Sequence, residues 1–269
     1  MNKKIIYTLA ILLFLGSFFF FLIQLNEISS KLDTLSGDAL IERYNQASKA
    51  TVFIIAEIDS PSEAEGMAYY LDNQSYVKTG SGFLIDPKGY IVTARHVISG
   101  FKNGKVVFIE DGNIVKEFPI IASADQLDLD IAILKINSEE DLPYLNLADE
   151  EEIIIGRKVS FVGFPYGDPN KKILKLFSQG VISGKDLSTF GGFEVPVVFI
   201  NAFVNPGNSG GPVFLDNNGH VVGIVNQRMN DEIGAQTGIG VLSKASILKE
   251  QISQIKENLD RLILQTLPQ

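Results

Sequence analysis

Ser209 lies in Asn205-Pro206-Gly207-Asn208-Ser209-Gly210-Gly211-Pro212, one hydroxyl among three glycines, between the apolar run Val197 to Val204 and the strand-like Val213-Phe214-Leu215. Glycine takes φ angles that other residues avoid, so this run can turn sharply and leave the serine an unobstructed face. A serine hydroxyl is a weak nucleophile at neutral pH. It needs a base in contact and donors for the oxyanion it creates. The backbone N–H groups of Gly207 and Ser209 supply such donors if the loop curls around a bound carbonyl. Taken alone, a glycine-rich loop is most often a plain turn between strands, so the chemistry depends on partners elsewhere.

Two histidines exist in the chain, His96 and His220, and any histidine base must be one of them. His96 stands in Thr93-Ala94-Arg95-His96-Val97, directly after the strand-like Ile91-Val92. His220 falls at a hairpin turn before Val221 and is expected to be an exposed surface residue. The acidic candidate is Asp130, which heads Ile131-Ala132-Ile133-Leu134. Each signal alone has a bland reading, a structural histidine or a turn-capping carboxylate. Together they put His, Asp and a glycine-flanked Ser in order along a chain rich in β runs.

The elements that must position them are mostly short strands. Thr51 to Asp59, Gly80 to Ile85, Tyr90 to Thr93, Val106 to Glu110 and Ile131 to Ile136 form one set. Lys158 to Gly163, Ile173 to Ile182, Val195 to Asn201, Pro212 to Leu215 and Val221 to Gln227 form a second, with Asp216-Asn217-Asn218-Gly219 as a hairpin loop. An acidic stretch from Asn137 to Glu152 joins them, which predicts two β units with their junction near 137–157. Strands of this length and spacing predict an all-β sandwich or paired barrels. Ser60 to Val77 reads as a long inserted loop.

Both ends of the chain read as helix. Ile5 to Ile23 is uncharged and follows Lys3 and Lys4. A helix of that length covers about 28 Å, close to the thickness of a bilayer's hydrocarbon layer. The lysines before it favour a cytoplasmic N-terminus with the remaining chain outside. A cleaved signal peptide fits less well, because its apolar region runs about 7–15 residues and ends at a small-x-small site. Residues 1–24 are therefore expected to anchor the protein in a membrane. Leu25, Ile28, Leu32, Leu35 and Ala39 continue as one apolar seam, a helical stalk over 25–48. Leu248, Ile252, Ile255, Leu259 and Leu262 make a second seam in a C-terminal amphipathic helix over 246–269. Two such seams permit pairing within the chain or between subunits of a homo-oligomer.

Composition narrows the chemistry. The 269 residues include no cysteine, which excludes disulfides, thiolate metal sites and a cysteine nucleophile. Two histidines leave little for a metal site, and no metal or cofactor is expected. A net charge of −9 argues against nucleic acid as a partner.

In several ordered segments the chain resembles the chymotrypsin-fold serine proteases, and specifically their HtrA/Deg-like branch. Thr79-Gly80-Ser81-Gly82-Phe83 resembles a family strand motif, Thr93 to Val97 the histidine segment, and Asp128-Leu129-Asp130-Ile131-Ala132-Ile133-Leu134 the aspartate segment. Val162-Gly163-Phe164-Pro165-Tyr166-Gly167 and Ser178-Gln179-Gly180-Val181-Ile182-Ser183 match later landmarks, and Asn205 to Pro212 matches the nucleophile loop. The resemblance implies two six-stranded antiparallel β-barrels within a trypsin-like protease domain over 49–245. It makes Ser209 the nucleophile, His96 the general base and then acid, and Asp130 the residue that orients the imidazole. Asp128 competes for the last role; Asp130 is preferred because in the family the acid directly precedes the Ile-Ala step. Gly207 and Ser209 become the oxyanion donors, with Asn208 shaping the turn. Phe203, Val225 and Asn226 are expected to line the substrate pocket, which lacks an acidic base and so suits a small or medium apolar side chain. An extended substrate is expected to pair with the edge Val222 to Asn226. HtrA-like proteases carry a peptide-binding PDZ domain after the catalytic one, and the roughly 28 residues after Val241 are expected to be too few for it. The implied activity is a membrane-tethered endopeptidase acting on polypeptides outside the cytoplasm. The rival is a protease-fold protein, silent or ligand-gated, that binds unfolded or extended polypeptides.

Overall fold

In a computed structural model, residues 3–59, 68–71, 75–126, 129–190, 192–230 and 236–266 are described, with some side chains inside these ranges excepted. Contacts divide the chain into two compact units, Met1–Glu42 and Arg43–Gln269. Helix α1 (Lys3–Ala50) begins in the first and ends in the second. Among the described residues no helix is long and apolar enough to cross a membrane. Much of the expected anchor, the side chains of residues 5–14 and 17, lies outside the described ones, as do those of Ile28, Leu32 and Leu35 in the stalk seam. Phe18 to Ile23 and Leu25 are described, and their large apolar side chains are exposed.

The second unit begins with the last turns of α1, where Ala47 and Ala50 are buried. Strands β1 (Thr51–Ile58), β2 (Ala68–Leu71), β3 (Ser75–Leu84), β4 (Tyr90–Ala94), β5 (Asn103–Glu110), β6 (Asn113–Pro119), β7 (Ala122–Gln126) and β8 (Ile131–Lys135) follow, with the single turn α2 (Arg95–Ile98) after β4. They form one eight-stranded sheet in the order β6-β5-β1-β3-β4-β8-β7, with β2 beside β3. The expected closed six-stranded barrel is thus a half-barrel whose edge strands β6 and β7 do not pair. Its two edges are joined by the chain itself. After Pro119 the Ile120 N–H turns to Gly104 O at 3.0 Å, whereas the Ile121 N–H turns to Lys135 O at 2.9 Å on the other side. One bent segment therefore serves two strands, and a corner replaces a hydrogen-bond ladder. The supposed loop over 60–77 is also corrected in part. Ala68–Leu71 is a strand paired with β3, and Tyr70 and Tyr76 stack across it at 4.9 Å; residues 60–67 and 72–74 lie outside the described ones.

The later strands, β9 (Lys158–Gly163), β10 (Leu176–Phe190), β11 (Phe193–Asn201), β12 (Pro212–Leu215), β13 (Val221–Asn230) and β14 (Gln236–Lys244), close into a six-stranded barrel, β10-β11-β14-β13-β12-β9. The expected substrate edge Val222 to Asn226 needs correction. Gly223 and Ile224 pair with β12 on one side and with β14 on the other, and Val225 pairs with β14 and with Gly210 and Gly211. Pairing with β12 stops at Ile224, so a free side begins only at Asn226.

Helix α3 (Ala245–Thr266) buries Leu248, Ile252, Ile255 and Leu259, the positions its apolar spacing marks, in a core shared with Val92 and Ile133 of the half-barrel and Val197 and Ile224 of the barrel. Its polar face reaches the half-barrel, where the Tyr90 hydroxyl donates to Asp260 and Lys256 donates to Asp86. One helix thereby holds both β units.

The connecting segment lies along the start of β13, through Ala148 N–H to Val221 O and Val221 N–H to Asn146 O, both 2.8 Å. His220 is part of this seam and is not a free surface residue. It is half-buried, with Nδ1 3.0 Å from Glu152 Oε2. Burial alone would raise the Glu152 pKa, but the Asp149 N–H and the His220 and Asn218 side chains bring it down to about 2. A carboxylate held that low contributes stability that is complete above its ordinary value of 4.5 and is lost as the pH falls towards about 2. Glu152→Gln is expected to cost about 1–3 kcal/mol at neutral pH, measured as a lower urea midpoint. The gap from wild type should close as unfolding is repeated at lower pH.

Candidate active site

The pairing of β4 with β8 brings the first two site residues together. Thr93 lies opposite Ala132 and Ala94 opposite Ile131, so the residue leaving β4 and the residue leading into β8 meet at one end of the sheet. There α2 carries His96, and Asp130 stands just before β8 in the left-handed region at φ 49°. This conformation is costly for a residue with a Cβ, and aspartate tolerates it better than most. Four contacts hold it in place. Asp130 O accepts the Arg95 N–H at 3.1 Å, and its carboxylate accepts the His96 N–H at 2.9 Å, the His96 ring at 2.8 Å and the Asn226 amide at 3.1 Å.

The ring contact fixes the histidine tautomer. An ionised carboxylate only accepts, so the proton of the neutral imidazole lies on Nδ1 and leaves Nε2 as a free base. The side chains of His96 and Asp130 are 22% and 13% exposed, so water screens the pair little. Asp128, the competing acid, lies outside the described residues.

Asn226 was expected to line a pocket. It does, and it also braces Asp130. A bulge in β13, between Val225 opposite Leu242 and Gln227 opposite Val241, re-aims its side chain. The Asn226 Nδ2 then donates to Asp130 Oδ2 and, at 2.8 Å, to Ser243 Oγ, which in turn donates to Leu129 O. Ninety-six positions separate Asn226 from Asp130, and no local pattern signals the contact.

The loop from Asn205 to Gly211 carries Ser209. Gly207 and Gly210 stand at φ 94° and 82°, and a Cβ on them would lie 2.3 Å from Phe164 O and 2.2 Å from Ser81 O. No side chain fits there. The carbonyls of residues 206–209 are occupied: Pro206 O by the Tyr166 N–H at 2.7 Å, Gly207 O by the Ser81 hydroxyl at 2.7 Å, Asn208 O by the Gly211 N–H at 2.9 Å, and Ser209 O by the Ser81 N–H at 2.9 Å. The Asn208 and Gly210 N–H groups are used as well, on Asn205 O and Val225 O. Among the described residues those of Gly207 and Ser209 donate to nothing. Asn208 itself is buried under the turn. The Ser209 hydroxyl forms no hydrogen bond among the described residues, to His96 or to any other group. Such contacts are often loose before substrate arrives.

A cavity of about 310 Å³ opens beside Ser209, lined by Val204, Asn205, Pro206, Ser209, Asn226 and Gln227. No charged side chain is among them. Of the three expected pocket residues only Asn226 lines it. Phe203 is 65% exposed and packs over Gly238, and Val225 is buried with its backbone bonded to the nucleophile loop. Val204, Asn205, Pro206 and Gln227 had drawn no attention as pocket residues; they flank Ser209 and Asn226 in sequence, which is the only signal that would have found them. Among the described residues no group of three or more His, Asp or Glu side chains is placed to hold a metal ion.

The family described as "Trypsin-like peptidase domain" matches residues 80–224. A "Probable periplasmic serine endoprotease DegP-like" of Hahella chejuensis is 32% identical over 184 residues, covering 68% of this chain and 37% of that protein. One of Bartonella henselae is 36% identical over 180 residues, covering 66% and 33%. The chain thus spans little more than a third of the length of these relatives. The crystal structure of the Rv3671c protease from M. tuberculosis in its active form superposes with a TM-score of 0.62 at 23% identity, over 79% of this chain and 83% of that one, a likeness of fold.

The histidine tautomer can be read directly. Nitrogen-15 spectra of the imidazoles at about pH 8 should show His96 protonated on Nδ1. In Asp130→Asn, whose amide can donate, the proton is expected to move to Nε2. A wild-type ring protonated on Nε2 would contradict the geometry.

Proposed function

The chain belongs to the trypsin-like peptidase family, and from that premise we propose that it is a serine endopeptidase that cleaves polypeptides through an acyl-enzyme. The observation that carries this reading is that Asn226, which lines the cavity beside Ser209, also holds Asp130 and through it His96, while the Ser209 loop keeps two backbone N–H groups without an acceptor among the described residues. In the reaction His96 Nε2 takes the Ser209 proton as Oγ attacks the scissile carbonyl. Asp130 holds the imidazole in the needed tautomer and stabilises the imidazolium. The Gly207 and Ser209 N–H groups receive the oxyanion, and His96 then gives its proton to the leaving amine. Water, deprotonated by His96 in turn, releases the acyl group. No step needs a metal or cofactor.

The uncharged, neutral-walled cavity suits a small or medium apolar side chain before the scissile bond. An extended substrate would add alongside Asn226 and Gln227, where β13 is free of β12. The DegP-like relatives are named periplasmic endoproteases, which supports a catalytic unit outside the cytoplasm. Membrane tethering is part of the same reading, and the uncharged run Ile5 to Ile23 after two lysines supports it. The unmade Ser209–His96 hydrogen bond favours one second reading, in which a bound polypeptide completes the site before cleavage.

Fluorophosphonate labelling and hydrolysis of an unfolded protein test the reading together. Wild type should label on Ser209 and cleave. Ser209→Ala and His96→Ala should lose labelling, and the serine variant should fall by on the order of 10⁶ in turnover. Labelling that persists in Ser209→Ala, or a wild type that neither labels nor cleaves with unfolded protein present, would overturn it.

A further inference from the structure

Ser81 belongs to the Thr79-Gly80-Ser81-Gly82-Phe83 stretch, on a strand of the half-barrel, and has no part in the chemistry described above. It is fully buried. Yet four hydrogen bonds it makes among the described residues bear on the site in the other β unit or on its supports. Its N–H donates to Ser209 O at 2.9 Å and its hydroxyl donates to Gly207 O at 2.7 Å. The same hydroxyl accepts the Phe164 N–H at 3.0 Å, and its carbonyl accepts the Thr93 hydroxyl at 2.7 Å, three residues before His96.

Resting on the peptidase reading, we propose that Ser81 is the positioning residue of the oxyanion site, its hydroxyl fixing the Gly207–Asn208 peptide so that the flanking Gly207 and Ser209 N–H groups face the reacting carbonyl. A trans peptide sends its C=O and its N–H to opposite sides, so the hold on Gly207 O also aims the Asn208 N–H at Asn205 O and fixes the peptide that joins the two donor-bearing ones. Among the described residues the Gly207 carbonyl has one anchor, the Ser81 hydroxyl. That hydroxyl has one proton, and the Phe164 N–H already fills an oxygen lone pair, so its direction of donation is set. The Phe164 carbonyl forms the wall against which Gly207 turns, so one oxygen atom ties the loop and its wall together. Replacing Ser81 by alanine leaves two buried polar groups, Gly207 O and the Phe164 N–H, without partners. The least costly repair is rotation of the Gly207–Asn208 peptide, which disturbs both donors. Ser81 itself touches no substrate.

The oxyanion can be read separately from folding and binding with a peptidyl trifluoromethyl ketone, which forms a hemiketal with the nucleophilic serine. In Ser81→Ala the fluorine signal of the bound adduct should titrate roughly one pH unit higher than in wild type, because the oxyanion is held less well. With peptide substrate, kcat should fall about 10- to 100-fold and KM should stay within about twofold. Ser81→Cys keeps nearly the same shape with a weaker donor; it should lie between the two and carries the comparison if the alanine variant does not fold. Adducts that titrate alike in wild type and variant, or a loss wholly in KM, overturn the role of Ser81 while leaving the peptidase reading intact. A wild type that forms no adduct overturns that reading, and this role with it.

Discussion

Everything in the site depends on the planarity of the peptide unit. Because a trans peptide points its carbonyl and its N–H in opposite directions, the groups that hold Pro206 O and Asn208 O aim the N–H groups of Gly207 and Ser209, and the hold on Gly207 O fixes the peptide between them. The supports come from three places. Tyr166, in the loop after β9, holds Pro206 O, Gly211 in the Ser209 loop holds Asn208 O, and Ser81, on the half-barrel, holds Gly207 O and Ser209 O. The proposed oxyanion site, built of backbone in one β unit, is therefore braced by a strand of the other. Preorganisation of this kind lets donors meet developing charge without reorganising.

The acid–base half of the site is assembled by the same logic from the opposite side. The ladder between β4 and β8 sets His96 beside Asp130, and the bulge in β13 sends Asn226 across from the barrel to brace the carboxylate. Asp130 holds a left-handed backbone that its hydrogen bonds over-determine. Each half-site thus takes one support from the other β unit: Ser81 reaches to the serine loop, and Asn226 reaches to the aspartate. Helix α3, with apolar contacts to both units, keeps these crossings in register. Relative motion of the two units would disturb the proposed base and the proposed oxyanion donors together.

Much of this was legible in the sequence where the determinants are local. The β runs with regular turns marked most strands, and the four-and-three spacing of Leu248, Ile252, Ile255 and Leu259 marked the buried face of α3. Strand β6 escaped notice because its residues are almost all exposed, so it shows no alternation of apolar and polar side chains. The closed first barrel came from the family resemblance, and nothing local in the sequence distinguishes a ladder from a corner at Pro119 and Ile120. Only the serine loop advertises its chemistry by composition. The bracing of Asp130 by Asn226 and the hold of Ser81 on Gly207 join residues 96 and 126 positions apart. Contacts of that range are products of the fold. His220 was misread for the same reason: its partner Glu152 is distant in sequence.

In the proposed mechanism Ser209 carries the acyl group between two half-reactions. Rapid mixing with an activated p-nitrophenyl ester, followed by intact-mass and peptide analysis, tests it most directly. The account predicts a burst of about one p-nitrophenol per chain, with the acyl mass on the peptide that contains Ser209. A slow release without a burst, or an acyl group on any other residue, would contradict it.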